Sequence, residues 1–372
     1  MKLLRRLSLL LVATLVALLM AECSVRILPL LPISSMGAVM RPDPVLDHSL
    51  RPGSVGRMRS EEYDIVYRIN SLGLRDDEPD AWPAGDTVLI LGDSFMEGYG
   101  VERGELLADR LESISARGGR KWNVINAGVK SYSPLLEYLF LIHRGLAWKP
   151  DTVLLFFDLS DPANDIYYAR RLMRDAGGRP ASIRPRATPL ALPGRLGAML
   201  DRHSVLYAYS LHLGQKYFSS RDDVGYAGAA LDLEPLFPGR DSISDSDYAA
   251  RWRESFTHLR GIRDLLRAKG IAFAVVTYPY GHQVCDDCWR DGRLAHNFPP
   301  GVSSDRPFRH LASWAAAESI PVISLLNAFR NHPHPDKLYF RWDGHWTALG
   351  HEIAAEEIIR GQNNTGTVYY FP

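Results

Sequence analysis

Five short, mostly apolar runs constrain the fold of this chain more than any other feature. They are residues 87–91 (TVLIL), 123–126 (NVIN), 152–157 (TVLLFF), 271–276 (IAFAVV) and 322–326 (VISLL). Runs of this length with little polar alternation are strands buried on both faces, as in parallel sheets. Segments at helical spacing lie between them. Leu106, Leu107, Leu111 and Ile114 share one face of 105–116, and residues 135–147 form a second helical segment. Trp252, Phe256, Leu259, Ile262 and Leu266 line a third, which Gly270 ends. Residues 308–318 form a fourth, and a last helix begins behind Thr347, a suitable N-cap. Strands alternating with helices predict an α/β domain with a doubly wound, five-stranded parallel sheet. The chain shows no internal repeat and no heptads.

The pattern is interrupted twice. After the third run, residues of about 158–247 are irregular and rich in Pro, Gly and Arg, with a helical patch at 205–217. This reads as a long insertion on the sheet, a candidate lid. Before the first run, residues 29–60 read as a lead-in loop, and 63–69 alternate weakly as an edge strand before the turn Asn70-Ser71-Leu72-Gly73. The division expected is therefore an N-terminal segment 1–28, a lead-in 29–85, the α/β domain 86–361 and a tail 362–372.

Basic and acidic residues number 43 each, so charge gives no reason to expect a nucleic-acid partner. The N-terminus has its own character. Lys2, Arg5 and Arg6 precede the apolar run 7–21, which is shorter than the roughly 20 residues a membrane span needs. The run reaches towards 28 if Glu22 and Arg26 sit at the interface. Leu19 stands where signal cleavage before Glu22 wants a small residue, and Glu22 before Cys23 does not suit lipid attachment. An uncleaved signal-anchor is expected. Its basic flank would stay in the cytoplasm, leaving the chain on the inner membrane as a single-pass protein facing outwards. In an exported chain, Cys285 and Cys288 of QVCDDCWRDG read as a local disulfide. Zinc would want about four ligands, and there is no second cysteine pair.

Sites in open α/β sheets form at the carboxyl ends of the strands. The segments there are Gly92-Asp93-Ser94-Phe95, Asn126-Ala127-Gly128, Asp158-Leu159-Ser160-Asp161 and Trp342-Asp343-Gly344-His345-Trp346. They should converge. A serine hydroxyl attacks only when a base takes its proton, and His345 is the natural base for Ser94. Asp343 is the nearest carboxylate to fix the imidazole tautomer. Amides of Ser94 and Gly128 are candidate donors to a tetrahedral oxyanion. Asp93 reads as a residue that fixes its loop and His351 as a packing or surface residue. Residues 278–282 (YPYGH) suit either a pocket wall or a plain loop.

The stretches ILGDSFMEGYGV, VINAGVKSYSP and RWDGHWTALGHEIA resemble the SGNH or GDSL hydrolase family, over about residues 87–359 with the insertion between. The resemblance implies a flavodoxin-like sheet and no cofactor. It also implies Ser94 as nucleophile, His345 as base, and the Ser94 and Gly128 amides as oxyanion donors. Two departures stand out. The family's third block reads G-x-N-D, its Asn donating to the oxyanion. Here it reads DLSD, with Ser160 at the Asn position and Asn164 four residues on. The usual D-x-x-H is D-x-H here, followed by Trp346, which resembles the acetyltransferase-like branch that modifies bacterial surface polysaccharides. That spacing keeps Asp158 and Asp161 open as alternative partners for His345. The expected function is a serine esterase on O-acyl esters, O-acetyl above all, of an acylated small molecule or an envelope or secreted glycan. An O-acetyltransferase with the same triad is the alternative. A non-catalytic glycan-binding or scaffolding protein with a decayed site is a reading of another class.

Overall fold

The computed structural model of the protein describes residues 2–27, 39–184, 192, 194–207, 210–211, 244–295 and 303–364. Its centre is a sheet of five parallel strands: β1 (Asp86–Gly92), β2 (Trp122–Gly128), β3 (Thr152–Phe157), β4 (Ala272–Thr277) and β5 (Val322–Ser324). Their spatial order is β5-β4-β3-β1-β2. All four pairings are parallel, which is the doubly wound, flavodoxin-like arrangement. The chain leaves β1 for β2 on one side and returns to β3 on the other. The carboxyl end of β1 therefore sits at the switch point, where such sheets open a crevice.

Alternate residues of each strand feed two cores, as the pleat requires. Val88 and Ile90 of β1 pack with Leu154 and Phe156 against α3 (Leu107–Arg117) and α8 (Ala348–Asn364). Leu89 and Leu91 pack with Leu155 and Phe157 on the opposite face. That face is covered by α4 (Pro134–His143), α6 (Asp245–Ala268) and α7 (Arg306–Ala317). The face of α6 read from the sequence is the buried one, from Trp252 through Leu266. Thr347 does cap α8, its hydroxyl accepting the Gly350 N–H at 3.4 Å.

From residue 39 onwards the lead-in is not a loop. It holds two antiparallel hairpins, Met40–Asp43 with Asp47–Leu50 and Val55–Arg59 with Asp64–Arg68. Residues 64–68 pair with 55–59, not with the edge of the main sheet. Leu46, Leu50, Met58, Ile65 and Tyr67 are buried in the core on the α4 face. The strands are only four or five residues long and carry Arg, Asp and Pro, so the apolar residue at every second place is easily missed. Part of the supposed insertion is also ordinary architecture. α5 (Asp161–Ala169) packs beside α6, and the hairpin Leu172–Arg174 with Pro180–Ile183 follows. Within the helical patch expected at 205–217, residues 205–207 and 210–211 are helical, and the others lie outside the described residues.

Helix α1 (Lys2–Ile27) buries none of its residues. At 26 residues it extends about 39 Å at 1.5 Å per residue, and it is long and apolar enough to cross a membrane. Glu22 near its end accepts the N–H groups of Val205 and Leu206, each at 3.0 Å.

Candidate active site

Strand β1 ends on Gly92, where a Cβ would lie 2.5 Å from Met96 Cγ and 3.2 Å from Phe156 Cβ. The chain then turns into the one-turn helix α2 (Ser94–Glu97). Asp93 caps it, its carboxylate accepting the Phe95 N–H at 2.9 Å, which gives the loop-fixing role read from the sequence a physical basis. Ser94 is the first helical residue. Its N–H meets no acceptor among the described residues, as expected for the first turn of a helix.

His345 arrives from the other end of the chain, 251 residues away, with Nε2 2.8 Å from Ser94 Oγ. Its Nδ1 is hydrogen-bonded to Asp343 Oδ1, which also accepts the His345 N–H at 3.2 Å. The short D-x-H spacing works because Gly344 adopts φ +86°, folding the turn so that both side chains point the same way. With Nδ1–H on the carboxylate, Nε2 is left unprotonated and accepts from the serine. The imidazole lies between the rings of Phe95 and Tyr99, at centroid distances of 4.6 and 5.0 Å. About a fifth of each side chain, His345 and Asp343, remains exposed. Burial opposes both charges, but their mutual attraction and hydrogen bonding win. Asp343 is drawn down to about 2, helped by the Tyr63 hydroxyl, and His345 is raised above its ordinary value.

Gly128 does not present the amide expected of it. Its N–H donates to Asn126 Oδ1 at 3.0 Å. The glycine is required for a different reason, since a Cβ there would lie 2.4 Å from the Glu97 nitrogen. The loop continues along α2, with the Val129 N–H on the Gly92 carbonyl (3.0 Å) and the Lys130 N–H on the Glu97 carboxylate (2.6 Å). At Ser131 φ is +72°, and among the described residues nothing accepts its N–H. The two other sequence candidates are bonded to each other, Asn164 Nδ2 donating to Ser160 Oγ at 3.2 Å. Asn164 is buried in α5, and Ser160 is half-buried at its start.

Residues 235–367, which carry the Asp343–His345 turn, match the model of the SGNH hydrolase-like domain of the acetyltransferase AlgX. Over these residues, about a third of the chain, it is similar to the SGNH hydrolase-like family. Similar solved structures include the lipase/acylhydrolase from Enterococcus faecalis, 16% identical, covering 74% of this chain and 95% of that one with a TM-score of 0.37. The psychrotrophic esterase EstA from Pseudoalteromonas sp. is 11% identical, covering 75% and 100% with a TM-score of 0.39. The acetyl xylan esterase AlAXEase is 14% identical, covering 74% and 98% with a TM-score of 0.38. No curated protein matches the chain.

The third block, altered from the G-x-N-D of the family the sequence resembles, has a structural reading. Asp158, at the block's first position, is buried and accepts from Tyr278 Oη at 3.0 Å and from the Tyr280 hydroxyl. Tyr278 Oη also lies 3.1 Å from Asp93. Burial and the neighbouring Asp158 charge push Asp93 up to about 8. Asp161 accepts the Asp158 N–H at 3.0 Å. Both alternative partners for His345 are therefore engaged elsewhere. The segment 278–282 contributes its tyrosines to this cluster, and His351 is buried, its Nδ1 accepting the Leu107 N–H at 3.2 Å.

Cys285 and Cys288 form a disulfide with Cα atoms 5.1 Å apart. The loop it closes delivers Trp289, whose indole N–H donates to the Trp342 carbonyl at 3.0 Å under the Asp343–His345 turn. Sequence reasoning missed Trp289, Tyr99 and above all Tyr63, whose hydroxyl donates to Asp343 Oδ2 at 2.9 Å across 280 residues. No local motif marks Tyr63. Its only signal is membership of a weakly alternating strand.

Proposed function

We propose that this protein is a serine esterase of SGNH type that cleaves O-acyl esters, O-acetyl above all, of an envelope or secreted glycan. The single observation that carries the reading is the 2.8 Å contact between Ser94 Oγ and His345 Nε2, with Asp343 on the far side of the ring. Ser94 attacks the ester carbonyl carbon while His345 takes its proton. The negative oxygen of the tetrahedral intermediate is met by the N–H groups of Ser94 and Ser131, with Ser160 or Asn164 as a third, side-chain donor. Collapse breaks the bond to the leaving alkoxide, to which His345 returns the proton. The acyl group, now on Ser94, is released when a second hydroxyl attacks with His345 again as base.

If that hydroxyl is water the protein is an esterase, and if it belongs to a sugar it is an O-acetyltransferase. The match to an acetyltransferase's domain favours keeping the second reading. The decisive test is labelling with a fluorophosphonate, wild type against Ser94→Ala, followed by turnover of p-nitrophenyl acetate with and without sugar acceptors. Labelling lost in Ser94→Ala supports the acyl-serine route. An unlabelled wild type would favour a binding or scaffolding role.

We also assign α1 as a membrane anchor that holds the site outside the inner membrane, because the helix is apolar, unburied and flanked by Lys2, Arg5 and Arg6. The working unit we propose is residues 39–361, since the hairpins of the lead-in share a core with the sheet.

A further inference from the structure

We propose that Glu62 and Tyr63, at the tip of an N-terminal hairpin, are positioning residues that hold the Asp343–His345 turn in its reactive shape. The proposal rests on reading Asp343 and His345 as the catalytic pair. Residues 60–63 connect the strands Val55–Arg59 and Asp64–Arg68, and the Ser60 hydroxyl fixes this tip by accepting the N–H groups of Glu62 (3.1 Å) and Tyr63 (3.3 Å). The Glu62 carboxylate accepts three successive amides of the turn: Arg341 at 2.5 Å, Trp342 at 3.1 Å and Asp343 at 2.9 Å. Tyr63 then places its hydroxyl 2.9 Å from Asp343 Oδ2. Its ring packs edge-on against Phe340, with centroids 5.1 Å apart, and Gly100 leaves the room, since a Cβ there would lie 2.5 Å from the Phe340 ring and 2.7 Å from that of Tyr63.

The need for such a clamp follows from the spacing. One glycine separates Asp343 from His345, and glycine is the residue whose backbone is least restrained by itself. Three consecutive N–H groups turned outwards would otherwise be held by water alone, and charge-assisted bonds to one carboxylate fix them together. Asp343 has a second task-free oxygen that must be satisfied if Oδ1 is to stay on the imidazole. Without a donor there, the carboxylate can rotate about its side-chain torsion and leave Nδ1. Tyr63 supplies that donor. A carboxylate at Glu62 and a hydroxyl at Tyr63 match the two kinds of group they meet, amides for one and a carboxylate oxygen for the other.

The test compares Tyr63→Phe and Glu62→Ala with wild type in the full chain. Tyr63→Phe keeps the ring that packs on Phe340, so it preserves the fold. Each change is expected to lower kcat by roughly 10- to 100-fold at nearly unchanged KM, the range seen when a partner that orients a reactive group is removed. The acidic limb of kcat/KM should move to lower pH, because burial depresses His345 once Asp343 no longer faces it squarely. The other charges around the ring, Asp93 and Asp158, are unchanged in both variants. In an Asp343→Asn background Tyr63→Phe should lower the rate no further, since the carboxylate it positions is gone. A readout independent of turnover is the downfield proton resonance of His345 Nδ1–H, which should weaken or shift in Tyr63→Phe. Unchanged kcat and an unchanged resonance in both variants would overturn the proposal, as would an equal loss of rate from Tyr63→Phe with or without Asp343. If the wild type turned over no ester, the resonance would still decide this proposal, separately from the esterase reading.

Discussion

Ser94 and His345 share one proton path, so each is expected to be worth as much as both. Ser94→Ala and His345→Ala should each reduce ester turnover by roughly 10⁴-fold or more, and the double variant should be no worse. Steady-state rates on p-nitrophenyl acetate check this. Asp343→Asn should cost a similar or smaller factor and change the pH profile. His345 works as a base only when neutral, and its pKa is raised because the Asp343 charge outweighs burial. The acidic limb of kcat/KM should therefore lie above the ordinary histidine value of about 6.5 and move to lower pH in Asp343→Asn, where only Asp93 and Asp158 still oppose burial. At the oxyanion, Asn164 already spends an N–H on Ser160. Ser160→Ala should lose about 100- to 1,000-fold in kcat, and Asn164→Ala less, by withdrawing support from that hydroxyl. Equal full activity of both variants would leave the two backbone amides alone. The residues proposed as nucleophile and base were legible in the sequence because each follows a buried strand or precedes a capped helix. The amide of Ser131 was not, because a positive φ on a serine leaves no mark in composition.

The turn from Phe340 to Trp346 is the element on which the site depends most. Gly344 stands at φ +86°, and a Cβ there would lie 2.6 Å from the Trp289 indole nitrogen. Gly344→Ala thus meets both backbone strain and a steric clash, each of which must move the residues on either side. Activity should fall at least 100-fold while the far-ultraviolet circular dichroism is kept, since no core strand is touched. The disulfide beneath Trp289 should matter less to global stability. A loop of four residues removes little unfolded-state entropy, so replacing Cys285 and Cys288 with serine should lower the unfolding free energy by no more than about 2 kcal/mol, measured in urea. The sheet was readable because its strands are apolar on both faces, and α6 because its apolar face repeats over about four turns, from Trp252 to Leu266. The N-terminal hairpins were not. Strands of four or five residues fall below the length at which alternation can be told from chance, and Asp47–Leu50 buries Asp47 and Ser49 beside Leu50.

For the molecule as a whole, the carboxyl end of the sheet holds more buried acid than buried base, and stability should follow pH accordingly. Burial, together with like charges nearby, raises Asp93 to about 8 and Asp165 to about 7. In the unfolded chain the same groups ionise near 4. The folded form thus holds extra protons between these values. Its added stability is complete at low pH and is lost as pH rises through 7 and 8. The raised His345 acts in the same sense. The buried histidines His258, lowered to about 4, and His351, lowered to about 3, act oppositely, but only below about 6.5. Thermal unfolding should therefore show a lower Tm at pH 8.5 than at pH 6.5. Full-length protein should pellet with membranes and be digested by protease added outside the inner membrane, and a soluble form beginning near Cys23 would count against the anchor. The clamp at Glu62 also governs how the molecule breathes. When the Glu62 carboxylate leaves the turn, all three amides lose their acceptor together, so the N–H groups of Arg341, Trp342 and Asp343 should exchange with deuterium at similar rates. Those rates should track the opening of the hairpin Val55–Arg59 with Asp64–Arg68, not the slower opening of α8 a few residues downstream. The acid that orients His345 is carried near one end of the chain, but its exchange clock is set near the other.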